Sequence, residues 1–227
     1  MRKKIVITGG LGYIGTELCK IYSGTSWYHS IIVIDNRFIS ERVNQLRNWN
    51  IEFIHGDILD KDLVNKYFKN ADVVHHLAGI TSVPRTKSES SIEQDDKIKL
   101  VAKQGTQNIL NIISNECKII FPSTHVVYEG ISNVKKDIKE DEITQPILSY
   151  SSSKAANEKQ LKESGKNYVI LRLGSVYGYS NDTMRIDIMP NLFSKIASQN
   201  GTLKLFAAGR QIKSLVPLID VARCFKF

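Results

Sequence analysis

The sequence predicts a doubly wound α/β fold built on a parallel sheet, extended by a small lobe at its C-terminal end. Two observations carry that expectation. Short β-branched runs alternate with longer stretches of helical period, and the first run passes directly into a glycine-spaced turn and a helix. Composition agrees. Of 227 residues, 42% are hydrophobic and 24% charged, which excludes a disordered chain, a collagen-like repeat and a coiled coil, and suffices for a full core.

Taken in order, the strand-like runs are Lys4-Ile5-Val6-Ile7-Thr8, Ile31-Ile32-Val33-Ile34, Ile51-Glu52-Phe53-Ile54 and Asp72-Val73-Val74-His75-His76-Leu77, each followed by a loop and a candidate helix. Lys118-Ile119-Ile120-Phe121 and Tyr168-Val169-Ile170-Leu171-Arg172-Leu173 continue the alternation. Ligands of such sheets sit beyond the carboxyl ends of the strands, so the chemistry is expected in the loops after these runs. Past Gly178 the rhythm changes: Pro190 to Ser198 reads as a helix, Thr202 to Phe206 as a strand, and Val221 to Phe227 as a helix that stops partway. The expected division is 1–178 for a nucleotide-binding domain and 179–227 for part of a second lobe.

Several classes fall away on composition. No apolar run approaches the roughly 18 residues that span a bilayer, and Met1-Arg2-Lys3-Lys4 leads into a strand instead of a cleavable signal, so a cytoplasmic chain starting at Met1 is expected. Cys19, Cys117 and Cys224 are far apart and form no C-x-x-C pair, which argues for reduced, mostly buried thiols and against a disulfide framework or a zinc site. The net charge is +8, but the basic residues are scattered and often sit beside acids, as in Lys135-Lys136-Asp137. That pattern is a solvated surface and not a nucleic-acid groove.

The first strand runs into Thr8-Gly9-Gly10-Leu11-Gly12-Tyr13-Ile14-Gly15, then into the helical stretch Thr16 to Tyr22. Gly9 allows a tight turn, Gly12 lets the backbone approach a pyrophosphate, and Gly15 lets the helix pack closely, while free N–H groups at the helix start face the anion. Asp35 closes the second strand 20 residues after Gly15, where a carboxylate accepts hydrogen bonds from adenosine ribose hydroxyls. Such a carboxylate repels a 2′-phosphate and favours NAD; Arg37, two residues on, keeps NADP open.

A reactive pair follows. Tyr150-Ser151-Ser152-Ser153-Lys154 opens a helix whose four-residue offset puts phenol and ammonium on one face. A nearby cation favours phenolate, so Lys154 is expected to pull the Tyr150 pKa down and make it a usable base. The fifth strand delivers Ser123-Thr124 to the same rim, where the Thr124 hydroxyl can bond a reacting alcohol or carbonyl.

These motifs, with Asp35-Asn36, Gly56-Asp57, His76-Leu77-Ala78-Gly79, Gly105-Thr106 and Val127-Tyr128, resemble the extended short-chain dehydrogenase/reductase family. The branch is that of NAD-dependent nucleotide-sugar epimerases and dehydratases. The resemblance covers essentially the whole chain and implies a Rossmann fold. It further implies NAD held by Gly9, Gly12, Tyr13, Ile14, Gly15, Asp35, Asn36, Asp57, Ile58, Leu77, Ala78 and Gly79, together with Tyr150 and Lys154. Thr124, Tyr150 and Lys154 would be the catalytic residues, and Thr81, Ser175 and Lys213 would meet a nucleotide-diphosphate sugar. No metal, nucleic acid or membrane is implied. A homodimer is, paired through a helix over Ile98 to Ile113 and the helix after Tyr150.

The chain departs from that family at identifiable places. His125-Val126 stands where the dehydratases carry Asp-Glu after the catalytic Thr; Val126 cannot act as a base, though His125 can titrate near neutrality. His75 and His76 read as packing residues. Ala102 replaces an Asn, Ser175 replaces a substrate-binding amide, and Lys213 replaces a phosphate-binding Arg, giving a point charge instead of a bidentate fork. Arg210, Lys213 and Arg223 form a candidate anion site. The sequence also stops where family members continue, so part of the substrate lobe is expected to be missing or completed by another chain, with apolar surface exposed at Cys224, Phe225 and Phe227. The reading that results is a C4 epimerase working through a 4-keto sugar. A dehydratase or ketoreductase, and a non-catalytic NAD-binding scaffold, are the alternatives.

Overall fold

The computed structural model describes residues 2–81, 91–133, 135–180, 183–210 and 212–226. Its centre is a six-stranded parallel sheet formed by β1 (Lys4–Thr8), β2 (Ser30–Asp35), β3 (Glu52–His55), β4 (Val73–His76), β5 (Lys118–Thr124) and β6 (Asn167–Leu173). The order is β3-β2-β1-β4-β5-β6. The chain thus winds outward from β1 to β3, then returns to place β4 on the other side of β1 (Ile5 opposite Val73, Thr8 opposite His76). That reversal splays the loops after β1 and β4 apart and opens a crevice at the carboxyl rim. All six expected strands are present, within a residue or so at their starts, and β5 runs three residues further than expected, to Thr124.

The strands are apolar on both sides because helices cover both faces. Successive residues alternate between faces. Val6, Ile32, Ile34, Val74, Ile119 and Phe121 pack with Val64 and Phe68 of α3 (Lys61–Phe68), Ile109 of α5 (Thr106–Ile112) and Leu161 of α6 (Ser149–Glu163). Ile5, Ile7, Ile31, Val33 and Ile120 pack with Leu18 and Tyr22 of α1 (Tyr13–Ser23), Leu46 of α2 (Ser40–Asn48), and Val221 and Phe225 of α8 (Leu218–Lys226). Helix starts are fixed locally: the Asp60 carboxylate accepts from the N–H groups of Asp62 and Leu63 to cap α3. Among the described residues no helix is long and apolar enough to cross a membrane.

Three expectations are corrected. Ile98 to Ile113 is not one uninterrupted α-helix: α4 (Ile92–Leu100) and α5 are joined by a π-helical turn, Val101–Gly105. There the Ala102 and Lys103 carbonyls accept from Asn157 Nδ2 and Gln160 Nε2 of α6. Gly105 fits against Ile58, whose Cδ1 lies 2.3 Å from where a Cβ would stand. Thr202 to Phe206 is not a strand; Leu203 and Leu205 are exposed, and a 3-10 turn follows at Phe206–Gly209. The strand of that region is β8 (Leu215–Pro217), paired in parallel with β7 (Ser175–Tyr177) in a separate two-stranded sheet. Phe225 is fully buried, because Leu218, Val221, Ala222 and Phe225 recur on one face of α8 and that face lies on α1. Lys226 Nζ donates to the Ile21 carbonyl at 3.1 Å, closing the same contact. Cys224 is exposed, as expected; Phe227 lies outside the described residues.

Candidate active site

The turn after β1 is shaped by its glycines. Gly9 has φ +66°, and a Cβ there would stand 2.8 Å from the Ala78 nitrogen, so the turn lies directly on the β4 rim. At Gly15 a Cβ would meet the Gly9 carbonyl at 2.5 Å. The first turn of α1 therefore packs on the glycine loop itself. Thr8 joins the two rims: its Oγ1 accepts from Ala78 N–H at 2.9 Å and bonds His76 Nδ1 at 3.1 Å.

Asp35 is buried at the end of β2. Its Oδ2 accepts from the Leu11 N–H at 3.0 Å, which ties the strand end to the glycine turn. Both oxygens also accept from Arg37. Asn36 Nδ2 donates to Asp57 Oδ2 at 2.9 Å, while Asp57 Oδ1 accepts from Leu59 N–H. Ile58 is buried in the core and its carbonyl accepts from Asn108 Nδ2. Leu77, Ala78 and Gly79 follow β4 on the opposite rim. The Tyr13 hydroxyl donates to the Gly178 carbonyl at 2.5 Å and accepts from Asn191 Nδ2. Asn191 also accepts from Gly178 N–H and donates to the Arg185 carbonyl. Tyr13 and Asn191 thus pin α7 (Met189–Ser198) to the loop that follows β7.

The reactive residues meet at the rim of β5. Thr124 is its last residue, and its Oγ1 accepts from Val126 N–H at 3.3 Å. The first turns of α6 carry Tyr150 and Lys154. Its start is held by Glu129, whose carboxylate accepts from Ile147 N–H, Leu148 N–H and the Ser151 hydroxyl. Lys154 Nζ donates to the Pro122 carbonyl at 2.7 Å and lies 4.3 Å from the Phe121 ring centre and 5.9 Å from that of Tyr150.

The charges are distributed differently from the sequence expectation. Burial raises the Tyr150 pKa, and the groups that pull it back are the Arg185 guanidinium and the facing Thr124 hydroxyl. Lys154 is itself brought down to about 8 by burial, against the opposing charge of Glu158. Arg185 was not legible from spacing, since it reaches the pair from the segment before α7. Its NH2 donates to the Thr81 carbonyl at 3.2 Å and its Nε pairs with Asp187.

Two polar networks underlie the pair. His76, fully buried, bonds Thr8 through Nδ1 and Thr106 Oγ1 through Nε2 at 3.0 Å, and Thr106 also accepts from Asn157 of α6. Burial, with the Lys154 charge adding to it, brings His76 down to about 3; burial alone does the same to His75, whose Nε2 bonds the Tyr22 hydroxyl at 2.8 Å. The two histidines pack on opposite faces of the sheet, His75 against Tyr22 and Phe225 and His76 against Phe121. In the second network Glu158 accepts from the Ser123 hydroxyl at 2.5 Å and from Arg172 at 2.6 to 3.2 Å. Arg172 in turn donates to the Tyr128 hydroxyl and the Glu140 carbonyl.

His125 bonds the Leu173 carbonyl through Nδ1 at 3.0 Å. Ser175 N–H donates to the Ser214 carbonyl, so the β7–β8 pair brings Ser175 close to the segment carrying Lys213. Lys213 and Arg210 are exposed, and Arg223, on α8, pairs with Asp220.

The description "NAD dependent epimerase/dehydratase family" matches residues 5–227. A putative UDP-glucose 4-epimerase of Methanocaldococcus jannaschii is 30% identical over 96% of this chain and 71% of that protein. A dTDP-D-glucose 4,6-dehydratase of Dictyostelium discoideum is 28% identical over 98% of this chain, which spans 54% of that relative's length. Among solved structures, UDP-glucuronic acid 4-epimerase from Bacillus cereus, in complex with UDP-glucuronic acid and NAD, has a TM-score of 0.79 at 26% identity, covering 97% of this chain and 71% of that one. UDP-glucose 4-epimerase from Thermotoga maritima with UDP-glucose has a TM-score of 0.80 at 25% identity, covering 98% and 72%. With the glycine turn, the strand order and the family match in agreement over nearly its full length, the chain belongs to the NAD dependent epimerase/dehydratase family.

Proposed function

We propose that the protein is an NAD-dependent nucleotide-sugar epimerase acting at C4 of a UDP- or dTDP-hexose through a transient 4-keto sugar. The observation that carries this reading is the meeting of Tyr150, Lys154 and Thr124 at the β5 rim, in a fold whose switch point opens beside it. The crevice suits a dinucleotide: a Cβ on Gly9 or Gly15 would fill the turn, and a buried carboxylate, Asp35, closes the neighbouring strand. NAD, when bound, supplies a reversible hydride acceptor. Residues 1–178 are assigned to holding it and 179–227 to the sugar nucleotide, with Thr81, Ser175 and Lys213 on the substrate side.

The chain's own residues manage protons and charge. Tyr150, as phenolate, takes the proton of the sugar 4-hydroxyl, and Thr124 donates a hydrogen bond to that oxygen as it becomes a carbonyl. Arg185 and the Thr124 hydroxyl favour the phenolate against its burial, and the Lys154 ammonium is assigned to holding the nicotinamide ribose. The keto sugar turns over, and Tyr150 returns the proton to the same C4 oxygen as C4 is reduced from its other face. Dehydration also needs a proton donor for a leaving hydroxyl and a base for C5; Val126 offers neither, and His125 has one ring nitrogen committed to Leu173.

The assembly proposed is a homodimer paired through α4, α5 and α6, a reading supported by exposed Ile92 and Leu100 on α4; a cytoplasmic location goes with it. The test is incubation of the protein and NAD with UDP-glucose, UDP-galactose and dTDP-glucose. Interconversion of a C4 pair is expected, reduced at least about a hundredfold by Tyr150→Phe with NAD affinity kept. Unchanged turnover in that variant rejects Tyr150 as the base. NAD binding without turnover of any sugar nucleotide replaces the enzyme reading with the scaffold one.

A further inference from the structure

We infer that Arg37 plugs the ribose-binding carboxylate and must be displaced by a dinucleotide, which makes Arg37 the residue that weighs NAD against NADP. The inference rests on the reading of Asp35 as the carboxylate that receives the adenosine ribose. An ionised carboxylate has about four acceptor positions. In Asp35 four donors occupy them: Oδ1 accepts from Arg37 N–H at 3.0 Å and Arg37 Nε at 3.1 Å, and Oδ2 from Leu11 N–H at 3.0 Å and Arg37 NH2 at 3.2 Å. Two of these donors are backbone groups, fixed by the glycine turn and the strand end. The other two are one guanidinium fork, with one bond to each oxygen.

A ribose diol presents the same pattern, two adjacent O–H donors, and can replace the fork bond for bond. Only one partner can yield. The Arg37 side chain is 53% exposed and that of Asp35 3%. Arg37 NH2 also lies 3.6 Å from where a Cβ on Gly12 would stand, over the stretch of turn that has to admit a pyrophosphate. Once displaced, the guanidinium stays tethered two residues from Asp35, beside the 2′ position. There its charge offsets the repulsion between Asp35 and a 2′-phosphate.

The test is calorimetric titration of the full 227-residue chain and its Arg37→Ala and Arg37→Gln variants with NAD and with NADP. Both variants keep the two backbone donors of Asp35 but lose the charge beside a buried carboxylate, so a lowered melting temperature with the fold retained is expected. In both, NAD binds more tightly than to wild type and NADP less tightly, so the ratio of the two dissociation constants rises at least about tenfold. Weaker NAD binding in both variants, or an unchanged ratio, overturns the inference while leaving Asp35 as the ribose residue. A wild-type protein that binds neither dinucleotide overturns that reading and this inference with it.

Discussion

Replacing Glu158 by Ala is the perturbation that reaches deepest into the site without touching substrate or cofactor. The side chain is buried at 3% exposure and Arg172 beside it is 12% exposed, so the substitution leaves a desolvated guanidinium without its carboxylate. Breaking a buried pair from one side costs about 3–5 kcal/mol. With a urea m-value of about 3 kcal/mol per molar for a chain of this size, the unfolding midpoint should drop by roughly 1 M or more. Glu158→Gln keeps the shape and some of the hydrogen bonds, and should lose about 2 kcal/mol. The pH dependence has a definite sign. Burial works to raise the Glu158 pKa, but the bonds from Arg172 and Ser123 outweigh it and the net shift is downward. Its stabilisation is therefore present above the unfolded carboxylate value, about 4.3, and is lost as pH falls through the folded one. Urea titrations of wild type and both variants at pH 7 check the magnitude. An Ala variant within about 0.3 M of the wild-type midpoint refutes the reasoning, because the pair would then carry no net weight.

Other expectations follow from the same structure. His75 and His76 are held near 3, so the unfolded chain takes up their protons first, and stability should fall from pH 6.5 downward by up to about 1.4 kcal/mol per pH unit for each histidine. His75→Phe should flatten that slope in urea midpoints measured between pH 6.5 and 4.5. Gly9→Ala forces a side chain into φ +66° against the Ala78 backbone and should cost about 2 kcal/mol or more, seen as a lower melting temperature together with weaker NAD binding by calorimetry. Lys154, brought down to about 8, loses its ammonium as pH rises through that value, so turnover should decline on the alkaline side. Lys154→Met should abolish that limb and lower turnover about a hundredfold at pH 7.

Local patterns were readable because they are set by neighbours in sequence. The β-branched runs became β1 to β6, the glycine spacing became the turn on the β4 rim, and the four-residue offset put Tyr150 and Lys154 on one face of α6. What escaped were partnerships across long separations. Arg185 reaches Thr81 from 104 residues away, and Asn191 reaches Tyr13 from 178. Glu158 looked like any polar helix residue until β6 brought Arg172 to it. The fate of Phe225 likewise depended on where α8 returned, and α1 covers it. The expected effect of Lys154 on Tyr150 failed to include the burial of Tyr150, which raises its pKa, and that of the lysine itself; the sequence displays neither.

The claim that C4 is oxidised and reduced with Tyr150 moving the proton, and without disturbing the neighbouring carbons, is tested most directly by turnover of a UDP-hexose pair in heavy water, followed by proton NMR. The account predicts the C4 epimer with hydrogen retained at C4 and no deuterium at C5. Deuterium at C5, or a 6-deoxy-4-keto product, would contradict it and place the chemistry with dehydration instead.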